Sequence, residues 1–131
     1  DDAYYAHKIT SISGGTEYSC LKLGKSSSDG TWTSGVIPSG TKITFYACGW
    51  KAKNTTLTIT VNNGGTIDGA ASKVIALTSN DGATGNSPYI VDFTDEQAYT
   101  FDLADVTDAT TLTFATSESG HRALVTAVNI K

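Results

Sequence analysis

Apolar and polar positions alternate with a period of two along most of this chain, and no stretch sustains the 3.6-residue period of an amphipathic helix. Side chains on a strand point alternately to its two faces, so this alternation predicts half-buried strands. They fall at residues 8–12, 18–23, 31–36, 42–50, 56–61, 73–77, 89–93, 98–103, 110–115 and 123–130. Between them stand Gly14-Gly15, Asp29-Gly30, Ser39-Gly40, Asn63-Gly64-Gly65, Asp81-Gly82 and Ser119-Gly120, residue types that accept the positive φ of tight turns. Pro38 and Pro88 sit at strand margins, where a missing backbone donor does least harm to a ladder. About nine to ten short antiparallel strands at this spacing predict an all-β sandwich. Residues 1–131 are expected to form a single domain, with the last strand closing the fold beside an early one.

The alternation also separates two faces. In 42–50, Ile43, Phe45, Ala47 and Gly49 oppose Thr44, Tyr46, Cys48 and Trp50. In 56–61, Leu57, Ile59 and Val61 alternate with Thr56, Thr58 and Thr60, and in 18–23 Leu21 and Leu23 oppose Tyr18, Cys20 and Lys22. The aliphatic sets form the expected core, continued by Tyr99, Phe101, Leu103, Leu112 and Phe114. The other face then carries Tyr18, Tyr46 and Trp50 amid threonine hydroxyls and Lys22. Amphipathic aromatics beside hydroxyls suit a sugar ring, whose C–H face stacks on an indole or phenol. The expected ligand residues are Trp50 and Tyr46, with Tyr18, Trp32 and Tyr89 as further aromatics and Thr58 and Lys22 as hydrogen-bonding neighbours. A packing reading stands beside this one: Trp50 lies under a loop or under the opening segment Asp1-Asp2-Ala3-Tyr4-Tyr5. Trp32, flanked by small polar residues, is open to either a rim or a buried position, and the long segment 79–88 would carry Tyr89 toward a groove.

Composition narrows the function classes. A formal charge of −4 with nine scattered Lys and Arg argues against nucleic acid or an anionic membrane, both of which reward a basic patch. No run of about 18 apolar residues spans a bilayer, and no basic-then-apolar leader opens the chain, so a secretory leader is expected to have been removed. Threonine, serine and glycine dominate, Met is absent and charged residues reach 17%, against roughly 25% in an average soluble domain. Cys20 and Cys48 permit one pairing, closing a loop of about 28 residues worth roughly 3 kcal/mol; a disulfide and two inert thiols are both open readings. With only His7 and His121 beside them they do not make a zinc site. Nucleophile elbow, phosphate loop, HExxH and EF-hand patterns are all missing from the sequence, so a non-enzyme without a cofactor is expected. A structural calcium at a loop edge, held by Asp81, Asp92, Asp95 or Glu96, is weighed against plain solvated acids. His121-Arg122, after Gly120, reads either as part of a polar site at a strand start or as a surface pair.

Three stretches carry a resemblance. They are Cys20-Leu21-Lys22-Leu23-Gly24; Ile43-Thr44-Phe45-Tyr46-Ala47 with Trp50 after the turn Pro38-Ser39-Gly40-Thr41; and Thr111-Leu112-Thr113-Phe114 followed by Gly120-His121-Arg122 and the apolar run 123–130. Together they resemble jelly-roll accessory domains of secreted bacterial multidomain proteins, a group that includes carbohydrate-binding modules. The resemblance implies a jelly-roll-like sandwich, a secreted or cell-surface location, a monomeric or tethered domain and a polysaccharide partner held without reaction. An adhesion or spacer domain contacting protein is the alternative it leaves open. It transfers no site residue, because fold likeness does not supply a site.

Overall fold

The computed structural model describes the backbone of residues 3–13, 16–50, 53–80 and 89–131, and the side chains of 20–50, 53–80 and 91–131. Among them run eleven strands: β1 (Ala3–Ser13), β2 (Thr16–Leu23), β3 (Thr31–Thr33), β4 (Lys42–Gly49), β5 (Thr55–Asn62), β6 (Thr66–Ile67), β7 (Ser72–Leu77), β8 (Tyr89–Val91), β9 (Ala98–Ala104), β10 (Thr111–Thr116) and β11 (Ala123–Ile130), with one 3₁₀ turn at Asp95–Gln97. The ten expected strands are present, and the two-residue β6 is additional. β3 ends at Thr33, short of the expected residue 36, and the weakly patterned first strand is longer than expected.

The strands form two sheets, ordered β6-β9-β4-β11-β2-β1-β8 and β3-β10-β5-β7. Four antiparallel pairs are nested in sequence: β2 with β11, β3 with β10, β4 with β9, and β5 with β7. A long hairpin folded over on itself gives this nesting, which is the jelly-roll order. The closing strand does lie beside an early one, with Val125 opposite Leu21. One pairing departs from the antiparallel expectation: β8 runs parallel to β1, Thr10 facing Ile90. It arrives from the other sheet as an added edge strand, so no hairpin dictates its direction.

Alternation works out as the physics requires. β5 is rich in β-branched residues, which suit a pleated surface, and its Leu57 and Ile59 are fully buried while Thr56 is exposed. Ile43, Phe45 and Ala47 meet them from β4, with Leu21, Leu23, Leu103, Leu112 and Phe114. Phe45 sits at the centre, its ring 5.8 Å from Phe114 and 5.4 Å from Tyr99.

The cysteines are free and buried. β11 lies between β2 and β4, so two strand spacings of about 4.8 Å separate their backbones, beyond the reach of a disulfide. Burial pushes the Cys20 thiol up to about 11 and that of Cys48 up to about 12, Cys20 itself adding to the latter. Both are protonated at neutral pH and therefore poor nucleophiles. A thiol reagent is expected to leave the native protein unlabelled at pH 7 and to find two free thiols once unreduced protein is unfolded in denaturant. Fewer than two would reveal a bond that this arrangement forbids.

Candidate functional site

The expected aromatic platform is not an open surface. Tyr46, Cys48 and Trp50 do share the face of β4 opposite the main core, as alternation requires. There they join Cys20, Leu124, Val91 and Phe93 in a second buried cluster. Trp50 is 1% exposed, Tyr46 is half-buried with its ring 5.7 Å from that of Phe93, and the Lys22 ammonium caps the Trp50 ring at 4.4 Å. The cover arises from topology. β8 and β9 lie on opposite sides of β4, β11, β2 and β1, so the chain joining them crosses the outer face and sets Val91 and Phe93 on it. Trp50 and Tyr46 thus follow the packing reading, with residues 91–93 as a cover. Asp1 and Asp2 lie outside the described residues.

The other expected ligand residues go elsewhere. Trp32 is half-buried, 5.9 Å from Phe114, and lines an apolar hollow of about 140 Å³ with Leu21, Val125, Ala127 and Val128. Its rim is a bulge in β11 where Ala127 takes φ 55. Thr58 is on the outer face of the four-stranded sheet, opposite Ala115 and Val74. The side chains of Tyr18 and Tyr89 lie outside the described residues. The described members of the expected set are therefore scattered over three places and do not form one site. Among the described residues no three His, Cys, Asp or Glu side chains gather as a metal site; Asp81, named for calcium, lies outside them. No helix among the described residues is long and apolar enough to cross a membrane.

A concave polar site is found at one end of the sandwich. It is a cavity of about 280 Å³, lined by Asn54, Thr55 and Thr56 where β5 begins, Ala76, Leu77 and Thr78 where β7 ends, and Glu118 and His121 from the β10–β11 connection. The antiparallel pairing of β5 with β7, Thr55 opposite Leu77, brings the first two groups together. The third is tied down by hydrogen bonds. His121 Nδ1 donates to the Asn54 carbonyl at 2.8 Å, and the Thr55 hydroxyl donates to the His121 carbonyl at 2.8 Å. His121 Nε2 stands 3.4 Å from Glu118 Oε2. Gly120, at φ 78, makes the tight turn between them, its N–H donating to the Lys25 carbonyl. No match to the chain was found among protein-family models, curated proteins or solved structures.

The far wall is held from behind. Thr78 accepts a hydrogen bond from the Gln97 amide at 3.2 Å, and its carbonyl accepts from the Gly49 N–H at 2.8 Å. The cavity therefore offers an amide, hydroxyls, a carboxylate and an imidazole around the apolar Ala76 and Leu77, a fixed set of donors and acceptors for a hydroxylated ligand. Glu118 is the one carboxylate among its described lining residues, whereas glycoside hydrolysis takes a pair. Of this lining, the sequence marks His121 and the glycosylation sequon Asn54-Thr55-Thr56, but neither as part of a shared site. Thr78 and Glu118 gave no signal, since each is an ordinary polar residue near a strand end.

Proposed function

We propose that this domain is a non-catalytic carbohydrate-binding module of a secreted or cell-surface protein, and that it holds the sugar in the cavity formed by residues 54–56, 76–78, Glu118 and His121. The observation that carries this reading is the composition of that concavity. Sugar hydroxyls both donate and accept, and only a wall with both kinds of partner around an apolar floor satisfies them together. The aromatic platform is withdrawn in favour of this wall, because Trp50 is enclosed. His121→Ala is expected to weaken binding about tenfold, the worth of one hydrogen bond, and thermal melts check that the variant still folds without its bond to the Asn54 carbonyl. Affinity-gel electrophoresis across plant, algal and host polysaccharides measures it. Loss of binding in a folded Trp32→Ala, with His121→Ala unaffected, would move the site to the apolar hollow.

A second reading is favoured by one observation. The outer face of the four-stranded sheet carries Thr31, Thr33, Thr58, Thr60, Thr111 and Thr113 and no charged side chain among its described positions, with Thr33 and Thr113 hydroxyls 2.9 Å apart. An adhesion or spacer domain contacting protein would use such a face and would need no sugar site. If no polysaccharide retards the wild type, this second reading replaces the first.

A further inference from the structure

We propose that two copies of this chain join edge to edge through β7, forming a dimer in which their four-stranded sheets run on as one. The inference is independent of the cavity and starts from how the sheets end. Exposed strand edges invite pairing with another chain, and folds that stay apart blunt them with very short or charged edge strands. Three of the four edges here are blunted: β6 has two residues, and β3 and β8 have three each. β7 ends the four-stranded sheet with six, Ser72–Leu77, and pairs with β5 alone among the described residues. Its one charge does not guard the edge, because Lys73 is drawn back onto Asp68 at 3.1 Å and over the Phe101 ring at 5.2 Å.

The ladder fixes what this edge offers. The Val61 N–H donates to the Ala71 carbonyl, and Thr60 lies opposite Ser72. Bonded positions alternate in an antiparallel pair, so Ser72, Val74 and Ala76 aim their N–H and C=O groups away from β5. The side chains at these positions are exposed, with Val74 62% open. Antiparallel self-pairing about a two-fold axis at Val74 satisfies them: Val74 meets its own copy and Ser72 meets Ala76, each pair exchanging both bonds. Val74 then covers a β-branched side chain with its twin, a favourable cross-strand pair. Lys73 falls opposite Ile75, so no like charges face each other. This self-complementarity singles out a second copy, since the same residues answer one another across the axis. Charge permits the approach: residues 69–80 contain no acid, so two chains of net charge −4 repel least along this edge. Such a dimer departs from the monomeric domain that the jelly-roll resemblance implies.

Sedimentation equilibrium over rising protein concentration tests it, with amide hydrogen exchange read residue by residue. The wild type is expected to pass from monomer to dimer below about 1 mM, the weak range of a small interface. The Ser72, Val74 and Ala76 amides should slow in exchange as it does. Val74→Pro, which removes a donor that β5 does not use, should weaken association at least about tenfold. Val74→Lys, which sets two ammonium groups across the axis, should do so more strongly at low salt. Thermal melts confirm that both variants fold. A wild type that stays monomeric to about 1 mM overturns the proposal, as does a dimer that both folded variants form equally well. Slow exchange at these three amides that ignores concentration would overturn it too, by placing another segment of the same chain on the edge.

Discussion

Trp50→Ala is expected to destabilise the domain by about 3–5 kcal/mol, the usual cost of emptying a site filled by a large aromatic. Trp50 is the largest fully buried side chain described. It is enclosed by Cys20, Cys48, Leu124, Val91 and Phe93, and its backbone is fixed on both sides, the N–H donating to the Arg122 carbonyl and the carbonyl accepting from Lys53. Little of this can collapse into the void, because four of these five neighbours, all but Phe93, lie in strands of the sheet. Against a total stability of about 5–15 kcal/mol, the loss brings the variant close to unfolding. Chemical denaturation followed by circular dichroism measures it, with the midpoint falling while the slope holds. Trp50→Phe, which keeps most of the apolar volume, should lose less than half as much. A Trp50→Ala variant with wild-type stability would contradict the enclosed position and restore the exposed platform.

Gln97→Leu is expected to cost about 3 kcal/mol although it changes the side-chain volume little. Gln97 is 2% exposed and spends its amide completely. Its nitrogen donates to the Thr78 hydroxyl and the Ser79 carbonyl, both at 3.2 Å, and its oxygen accepts from Asn80 Nδ2 at 2.9 Å and the Thr94 N–H at 3.2 Å. A leucine leaves these groups enclosed without partners, at about 1–3 kcal/mol for each that water cannot reach. The amide is also the clasp between the crossing segment and the end of β7. Its loss should loosen the cover over the second core, so Cys20 and Cys48 should become labelled under native conditions, unlike in the wild type. Gln97→Glu keeps the acceptor and loses the donors, and should fall between the two. A Gln97→Leu protein with unchanged stability and silent thiols would show that the clasp holds nothing.

These two variants also mark where reading the sequence stops. The face that Trp50 occupies was legible from the spacing of Ile43, Phe45 and Ala47 against Tyr46, Cys48 and Trp50. Its burial was not, for alternation orders side chains about their own strand and carries no information on what lies beyond. Gln97 has still less signature: a single glutamine before a strand reads as a solvated residue, and only contacts with residues 78–80 make it a clasp.

The sequence by itself determined the class of fold, the approximate positions of ten strands, the positive-φ turns at Asn63-Gly64-Gly65 and Gly120, and the inward residues Leu57, Ile59, Leu112 and Phe114, because strand periodicity and turn chemistry are local properties of the chain; Gly30 and Gly40, expected at positive φ, do not adopt it. Tertiary structure alone decided the parallel docking of β8 on β1, the second core beneath Val91 and Phe93, the separation of Cys20 from Cys48 by β11, and the meeting of Asn54, Thr78, Glu118 and His121 around one cavity. The reason is the same in each case. Strand order and the path of a crossing connection are set by which distant segments pack together, and residues more than sixty positions apart become neighbours, as His121 does for Asn54, without leaving a mark on either one's local pattern.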